Sequence, residues 1–227
     1  MSFLLIDADD TLWENNIYFE RAFEDFVDFL DHSALTPVQI RDVLNEIELV
    51  NAKIHGYGAR NFGRNLQQAY HHLAEREIRT DDLAHVISLA ERILEQPLEL
   101  IEGVEETLAE LALRHDLTLF TKGHLEEQRL KVDRSGLGGY FRHTAIVKEK
   151  DTGAYLCIVE ERRLLREDTW MIGNSPKSDI NPALEAGLGA VLVPHPHTWV
   201  LEHQDLRTPE GARFLEVEKF ADLLGIF

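Results

Sequence analysis

Two aspartates two residues apart, Asp7 and Asp9, follow directly on the apolar run Phe3-Leu4-Leu5-Ile6. A run of that length reads as a buried strand, so it delivers both carboxylates to the end of a sheet. Ligands of α/β proteins bind at the carboxyl ends of their strands. Carboxylates held side by side repel, and they persist where a cation or a shared proton compensates. Mg²⁺ is the natural compensation, a hard ion that takes oxygen ligands from one or two carboxylates.

Three later strand ends carry complementary groups. The run ending Leu119-Phe120-Thr121-Lys122-Gly123 offers a hydroxyl and backbone N–H groups able to hold a phosphoryl oxygen. Lys148-Glu149-Lys150-Asp151 offers a lysine that neutralises an anionic substrate and a nucleophilic carboxylate together. The run Gly173-Asn174-Ser175-Pro176-Lys177-Ser178-Asp179 supplies Asn174 and Asp179, oxygen ligands suited to Mg²⁺. Each signal is weak alone. Their order, each at a strand end, is jointly strong.

With these residues in place, the chain resembles the haloacid dehalogenase superfamily, in its phosphatase-like branch with a helical cap. Asp7-Ala8-Asp9-Asp10-Thr11-Leu12 is similar to the first motif, Thr121 to the second, Lys148–Asp151 to the third and Gly173–Asp179 to the fourth. The resemblance implies that Asp7 is the nucleophile and Asp9 the general acid/base. It implies that Thr121, with its neighbours Lys122 and Gly123, and the motif lysine hold the transferring phosphoryl group. It implies a Mg²⁺ ion bound by Asp7, the Asp9 carbonyl, Asn174 and Asp179. Lys150, followed by Tyr155, fits the family's lysine-to-aromatic spacing better than Lys148 does. The fourth motif departs from the family pattern, which usually has an aspartate where this chain has Asn174. An amide oxygen still ligates Mg²⁺, but without charge, so weaker metal affinity is expected. Asp9 needs a raised pKa in the substrate complex to act as an acid.

The elements that position these groups are a parallel sheet and its helices. Apolar runs at Phe3–Ala8, Leu117–Thr121, Thr144–Val147, Trp170–Gly173 and Ala190–Pro194 have strand character. Helical stretches separate the last four, which predicts an α/β fold with a Rossmann-like, doubly wound parallel sheet. About a hundred residues of helical pattern lie between the first two runs, far beyond an ordinary crossover. Residues 15–96 therefore read as a helical cap domain inserted after the first strand, and 1–14 with 97–227 as the catalytic core. Thr36-Pro37 predicts a helix start, Thr80 caps a later helix, and Pro97 stops it. Trp13 at the junction is expected to pack between core and cap. Within the cap, the loop around Gly56–Asn61 with Arg60 and Arg64 is more readily a solvated surface turn than a second anion site.

Composition limits the partners. A formal net charge of −18 opposes nucleic-acid polymers and anionic membranes. No segment approaches the length of a membrane span and no signal peptide is evident. The single Cys157 excludes an internal disulfide and is expected to fill the core. Together these features predict a cytoplasmic protein. The eleven histidines, including His71-His72 and His195-Pro196-His197, show no zinc-ligand spacing and read as surface residues. The favoured function is a Mg²⁺-dependent phosphohydrolase for a small phosphorylated metabolite. Its rivals are a metal-independent 2-haloacid dehalogenase, against which the presence of Asp9 counts, and a weakly active phospholigand-binding protein. Neither the physiological substrate nor an oligomeric state follows from the sequence.

Overall fold

The computed structural model describes residues 1–227 as two compact units, Met1–Asn16 with Leu98–Phe227, and Ile17–Pro97. The second unit is built from four helices, α1 (Asn16–Leu30, which starts at the junction), α2 (Pro37–His55), α3 (Ala59–Leu73) and α4 (Thr80–Glu95). Their apolar faces meet in one core of Phe23, Phe26, Leu44, Leu66, Tyr70 and Val86. Thr36 caps α2 as expected: its hydroxyl accepts from Gln39 N, and the Gln39 side chain returns to Thr36 N at 2.9 Å. The start of α4 differs by one residue from expectation. Arg79 holds the capping position, because its N–H is met by the Asp82 carboxylate at 3.1 Å, and Thr80 is the first helical residue.

The first unit carries six strands, β1 (Phe3–Ile6), β2 (Asp116–Lys122), β3 (His143–Val147), β4 (Thr169–Gly173), β5 (Gly189–Leu192) and β6 (Phe214–Glu216). All pair in parallel, in the order β3-β2-β1-β4-β5-β6. Strand alternation divides the apolar residues between two faces. Leu4, Ile6, Leu117 and Leu119 pack on one side with Val104, Leu108 and Leu111 of α5 (Val104–Arg114). Leu5, Phe120 and Met171 pack on the other with Tyr155 and Ile158 of α7 (Thr152–Arg162). Between them in sequence lies α6 (Leu125–Ser135), and α8 (Asn181–Glu185) follows β4.

Strand β1 is central, with Ile6 opposite Leu119 on β2 and opposite Ile172 on β4. The chain builds outward from β1 through β2 to β3, then crosses back to lay β4 on the other side of β1. That reversal of strand order opens a crevice at the carboxyl end of β1, the place where such folds hold ligands. The β6 strand was not foreseen; it is only three residues long, on the sheet edge and largely exposed.

Candidate active site

Asp7 is the first residue past β1, and its N–H continues the ladder to Ile172 O at 2.9 Å. The sheet thus fixes its backbone between β1 and β4. Its carboxylate is buried and accepts a short hydrogen bond from Lys150 Nζ and another from Thr11 Oγ1 at 3.2 Å. The same ammonium donates to Asp179 Oδ1 at 2.6 Å. The Thr11 hydroxyl lies 3.4 Å from Asn174 Oδ1. Asp7, Thr11, Lys150, Asn174 and Asp179 therefore form one connected set drawn from three separate stretches of sequence. Lys148, by contrast, is exposed.

Charge in this set is unbalanced. Burial pushes the Asp7 carboxyl up to about 7, and the neighbouring Asp179 pushes the same way against Lys150. Burial works to lower the Lys150 ammonium, but Asp179 and Asp7 outweigh it and hold its pKa raised. The turn after β4 makes room for Asp179. Pro176–Ile180 forms one wide π-helical turn, capped by Ser175, whose hydroxyl accepts from Ser178 N at 2.9 Å. Ser175 N in turn donates to Asp179 Oδ2 at 2.9 Å.

Asp9 belongs to a second set. A tight loop carries it, closed by Leu12 N to Ala8 O at 2.8 Å and Asp10 N to Trp13 O at 2.8 Å, with Asp10 left-handed at φ 59°. Its carboxylate accepts from Trp13 Nε1 at 2.7 Å, Gln128 Nε2 at 2.8 Å and Lys131 Nζ at 2.8 Å. Gln128 and Lys131 stand three residues apart on α6, so they share a face. Burial would raise the Asp9 carboxyl, but the Lys131 charge and these hydrogen bonds outweigh it and hold it lowered. In the free protein Asp9 is thus held ionised. Its charge still reaches Asp7, whose carboxyl it helps to raise.

The end of β2 is arranged differently from expectation in two respects. Gly123 N donates to Val147 O at 3.0 Å, so that amide is spent on the sheet. The glycine serves instead to let Gln128 approach, since a β-carbon there would lie 2.8 Å from Gln128 Nε2. Lys122 Nζ donates to Glu202 Oε1 at 2.6 Å and Ser178 Oγ at 2.8 Å, which directs its charge to Glu202. Thr121 is fully buried at the end of β2, two residues past the Leu119–Ile6 pairing.

Comparison with known proteins bears on this arrangement. Residues 5–193 match the model of the family described as haloacid dehalogenase-like hydrolase. The chain belongs to the haloacid dehalogenase-like hydrolases. A haloacid dehalogenase-like family hydrolase from Xanthomonas campestris is 28% identical, with TM-score 0.85, covering 100% of this chain and 94% of that one. A putative hydrolase of the same superfamily from Bacillus subtilis, bound to magnesium, is 19% identical, with TM-score 0.69, covering 99% and 97%. L-2-haloacid dehalogenase from Xanthobacter autotrophicus, with chloropropionic acid covalently bound, is 14% identical, with TM-score 0.64, covering 100% and 98%. Among curated proteins no match to this sequence was found.

The donor set of this haloacid dehalogenase-like hydrolase fits a hard divalent cation. Asp7, Asn174 and Asp179 offer only oxygen, with no sulfur or imidazole among them. Two buried carboxylates share a single ammonium, and the Asp7 carboxyl is raised chiefly by burial, with Asp179 adding to it.

Sequence reasoning missed Gln128, Lys131 and Glu202. The spacing of Gln128 and Lys131 on a helix that follows a motif strand was a usable signal; Glu202 carried none. Trp13 is buried in the core of the sheet-bearing unit, and its indole N–H donates to Asp9. Two other readings are corrected. Cys157 is exposed, because Tyr155, Ile158 and Val159 take the inward positions of α7 and leave Cys157 facing out. His195 does not lie on the surface: its ring faces Glu14 at 3.3 Å and Asp10 at 3.7 Å, with the three ligand atoms within 4.8 Å of one another. Asp10 already accepts from Asn15 N at 2.9 Å and Asn16 N at 3.0 Å, and the ring meets the two acids through different nitrogens.

Proposed function

We propose that this hydrolase is a Mg²⁺-dependent phosphatase for a small phosphate monoester, working through an aspartyl-phosphate. The observation that carries the reading is the second carboxylate. Asp9 lies two residues from the buried Asp7, is electrostatically linked to it, and is fixed by groups from α6 and from its own loop. A halide leaves as a stable anion and needs no proton on departure. The alkoxide of a phosphate ester needs one, and the water that follows must lose one.

Asp7 Oδ attacks phosphorus as the ester P–O bond breaks, and Asp9 delivers a proton to the departing alkoxide oxygen. Water then attacks the same phosphorus, Asp9 takes its proton, and the bond to Asp7 breaks to release phosphate. Asp9 begins ionised, so it must gain its proton as the substrate arrives, a change that the approaching phosphoryl anion favours. Lys150 offsets part of the charge of Asp7 and Asp179 and thereby lowers the repulsion that an incoming phosphate meets. Thr121 is assigned to a phosphoryl oxygen. Asp7, the Asp9 carbonyl, Asn174 and Asp179 would hold Mg²⁺, which stabilises the charge developing on the phosphoryl oxygens when bound. The helical unit Ile17–Pro97 is assigned as the cap domain and source of substrate choice, and the single cysteine favours a cytoplasmic setting.

The test is phosphate release from an aryl phosphate and a panel of phosphorylated metabolites, with Mg²⁺ and with chelator. Release that needs Mg²⁺ and disappears in Asp7→Asn supports the reading. Halide release from 2-chloropropionate without metal, and no phosphate release, would replace it with dehalogenation. Tight phosphate-ester binding without turnover at saturating Mg²⁺ would replace it with a binding role.

A further inference from the structure

The segment between β5 and β6 grips the turn that carries Asn174 and Asp179 at several points. Glu202 Oε2 accepts from Ser175 Oγ at 2.6 Å and from Ser178 Oγ. Lys177 Nζ donates to Leu201 O at 2.9 Å. Nearest the site, Thr198 Oγ1 lies 2.9 Å from Asn174 Nδ2 and 3.0 Å from the carbonyl of His195.

The last two distances bear on which way the Asn174 amide faces. A carbonyl oxygen only accepts, so the single hydroxyl proton of Thr198 goes to His195 O. Toward Asn174 the hydroxyl is left with lone pairs alone. The Thr11 hydroxyl on the other side shares its proton between Asp7 at 3.2 Å and Asn174 at 3.4 Å and holds the amide only weakly, so the 2.9 Å contact with Thr198 decides: the NH₂ end faces Thr198 and the oxygen end turns toward Thr11 and Asp7. We infer that Thr198 is a positioning residue that fixes the Asn174 amide so that its oxygen, not its nitrogen, is presented to the Asp7 pocket. The inference rests on the Mg²⁺ reading of that pocket. An aspartate at this position would need no such device, because its two oxygens are equivalent as ligands. An asparagine does, since a flipped amide would aim two N–H donors at a cation. The departure in the fourth motif and the hydroxyl behind it thus form one unit.

The test is a double-mutant cycle on the full chain: wild type, T198V, T198S, N174D and N174D/T198V. Mg²⁺ binding is followed by calorimetry and Mg²⁺ activation with an aryl phosphate, with thermal melts to confirm folding. T198V is expected to weaken Mg²⁺ about tenfold in both assays, T198S to restore it, and T198V to have no further effect in the N174D background. If T198V binds Mg²⁺ like wild type, the inference is wrong while the phosphatase reading stands. If the loss is equal with Asn and with Asp at position 174, Thr198 only holds the loop and the inference also fails. A wild type that neither binds Mg²⁺ nor hydrolyses the ester would overturn the underlying reading itself, and is recognised before any variant is made. Should T198V not fold, T198A removes the same hydroxyl with less bulk and is judged by the same outcomes.

Discussion

A β-carbon on Gly173 would stand 2.3 Å from Asp179 Oδ2, closer than any side chain tolerates. The last residue of β4 is therefore a glycine because the Asp179 carboxylate lies against it. Asp179 cannot move aside without giving up Ser175 N and Lys150. Gly173→Ala is expected to expel Asp179 and leave the Lys150 ammonium with Asp7 alone. Mg²⁺ affinity and turnover should fall by at least an order of magnitude. Gly189 provides the control. Its β-carbon would strike the Trp170 ring at 2.4 Å, on the neighbouring strand and among apolar groups. Gly189→Ala should lower the melting temperature without raising the Mg²⁺ requirement of the protein that remains folded. Equal effects of the two substitutions on Mg²⁺ would refute the distinction.

Asp7 is expected to cost stability at neutral pH. Its carboxyl is raised from 3.8 to about 7 on folding, chiefly by burial. A carboxyl raised on folding favours the folded state below its unfolded pKa and loses that advantage as pH rises through the folded value. Asp7→Asn keeps the shape and removes the titration. Its stability should match wild type below pH 3.8, exceed it increasingly between there and about 7, and keep a constant lead above. A melting-temperature lead of several degrees at pH 8, on the order of a few kcal/mol, is the expected size. Urea or thermal unfolding across that range checks the sign, and activity should be lost throughout.

Lys131 should govern the pH dependence of turnover through Asp9. The ammonium holds the carboxyl lowered, so Lys131→Met lets it rise. The step that needs ionised Asp9 then fails at higher pH. The acid limb of the pH–rate profile should move toward neutrality, with smaller loss at pH 8 than at pH 5. Asp9→Asn should reduce kcat by roughly 10²–10⁴ at every pH. An unshifted limb in Lys131→Met would show that another group carries the proton.

The parts of this site that could be read from the sequence are those fixed by local pattern. Phe3–Ile6 ends in Asp7 because an apolar run of four makes a strand and the first polar residue must leave it. Lys150 could be preferred over Lys148 on its spacing to Tyr155, and it is the lysine that is buried against Asp7. What stayed hidden depends on distant segments meeting. Glu202 reaches Lys122 across 80 residues, and His195 reaches Glu14 across 181. No periodicity encodes such encounters. Cys157 was misjudged for a local reason: an apolar stretch was read as wholly inward, although a helix turns every third residue or so away from its core.

The Glu202–Lys122 pair should give the protein an acid-sensitive component of stability. Burial would raise the Glu202 carboxyl, but Lys122 and the bonds from Lys122, Ser175 and Ser178 outweigh it and hold it below its usual 4.5. A carboxyl lowered on folding stabilises fully above its unfolded pKa and loses that contribution as pH falls through the folded value. Lys122 has no comparable change in this range, since Glu202 and Glu149 outweigh burial and keep its ammonium raised. Glu202→Gln leaves that ammonium buried without its main counter-charge, at a cost of about 2–4 kcal/mol at pH 7. The gap to wild type should hold steady down to pH 4.5 and narrow below it as the wild-type carboxylate takes up a proton. Lys122→Met should show the same narrowing, and the double variant should lose less than the two single losses added together. Urea midpoints at pH 7, 5 and 3 measure all of this, and a gap that widened on acidification would show that Glu202 is not the ionised partner the geometry makes it.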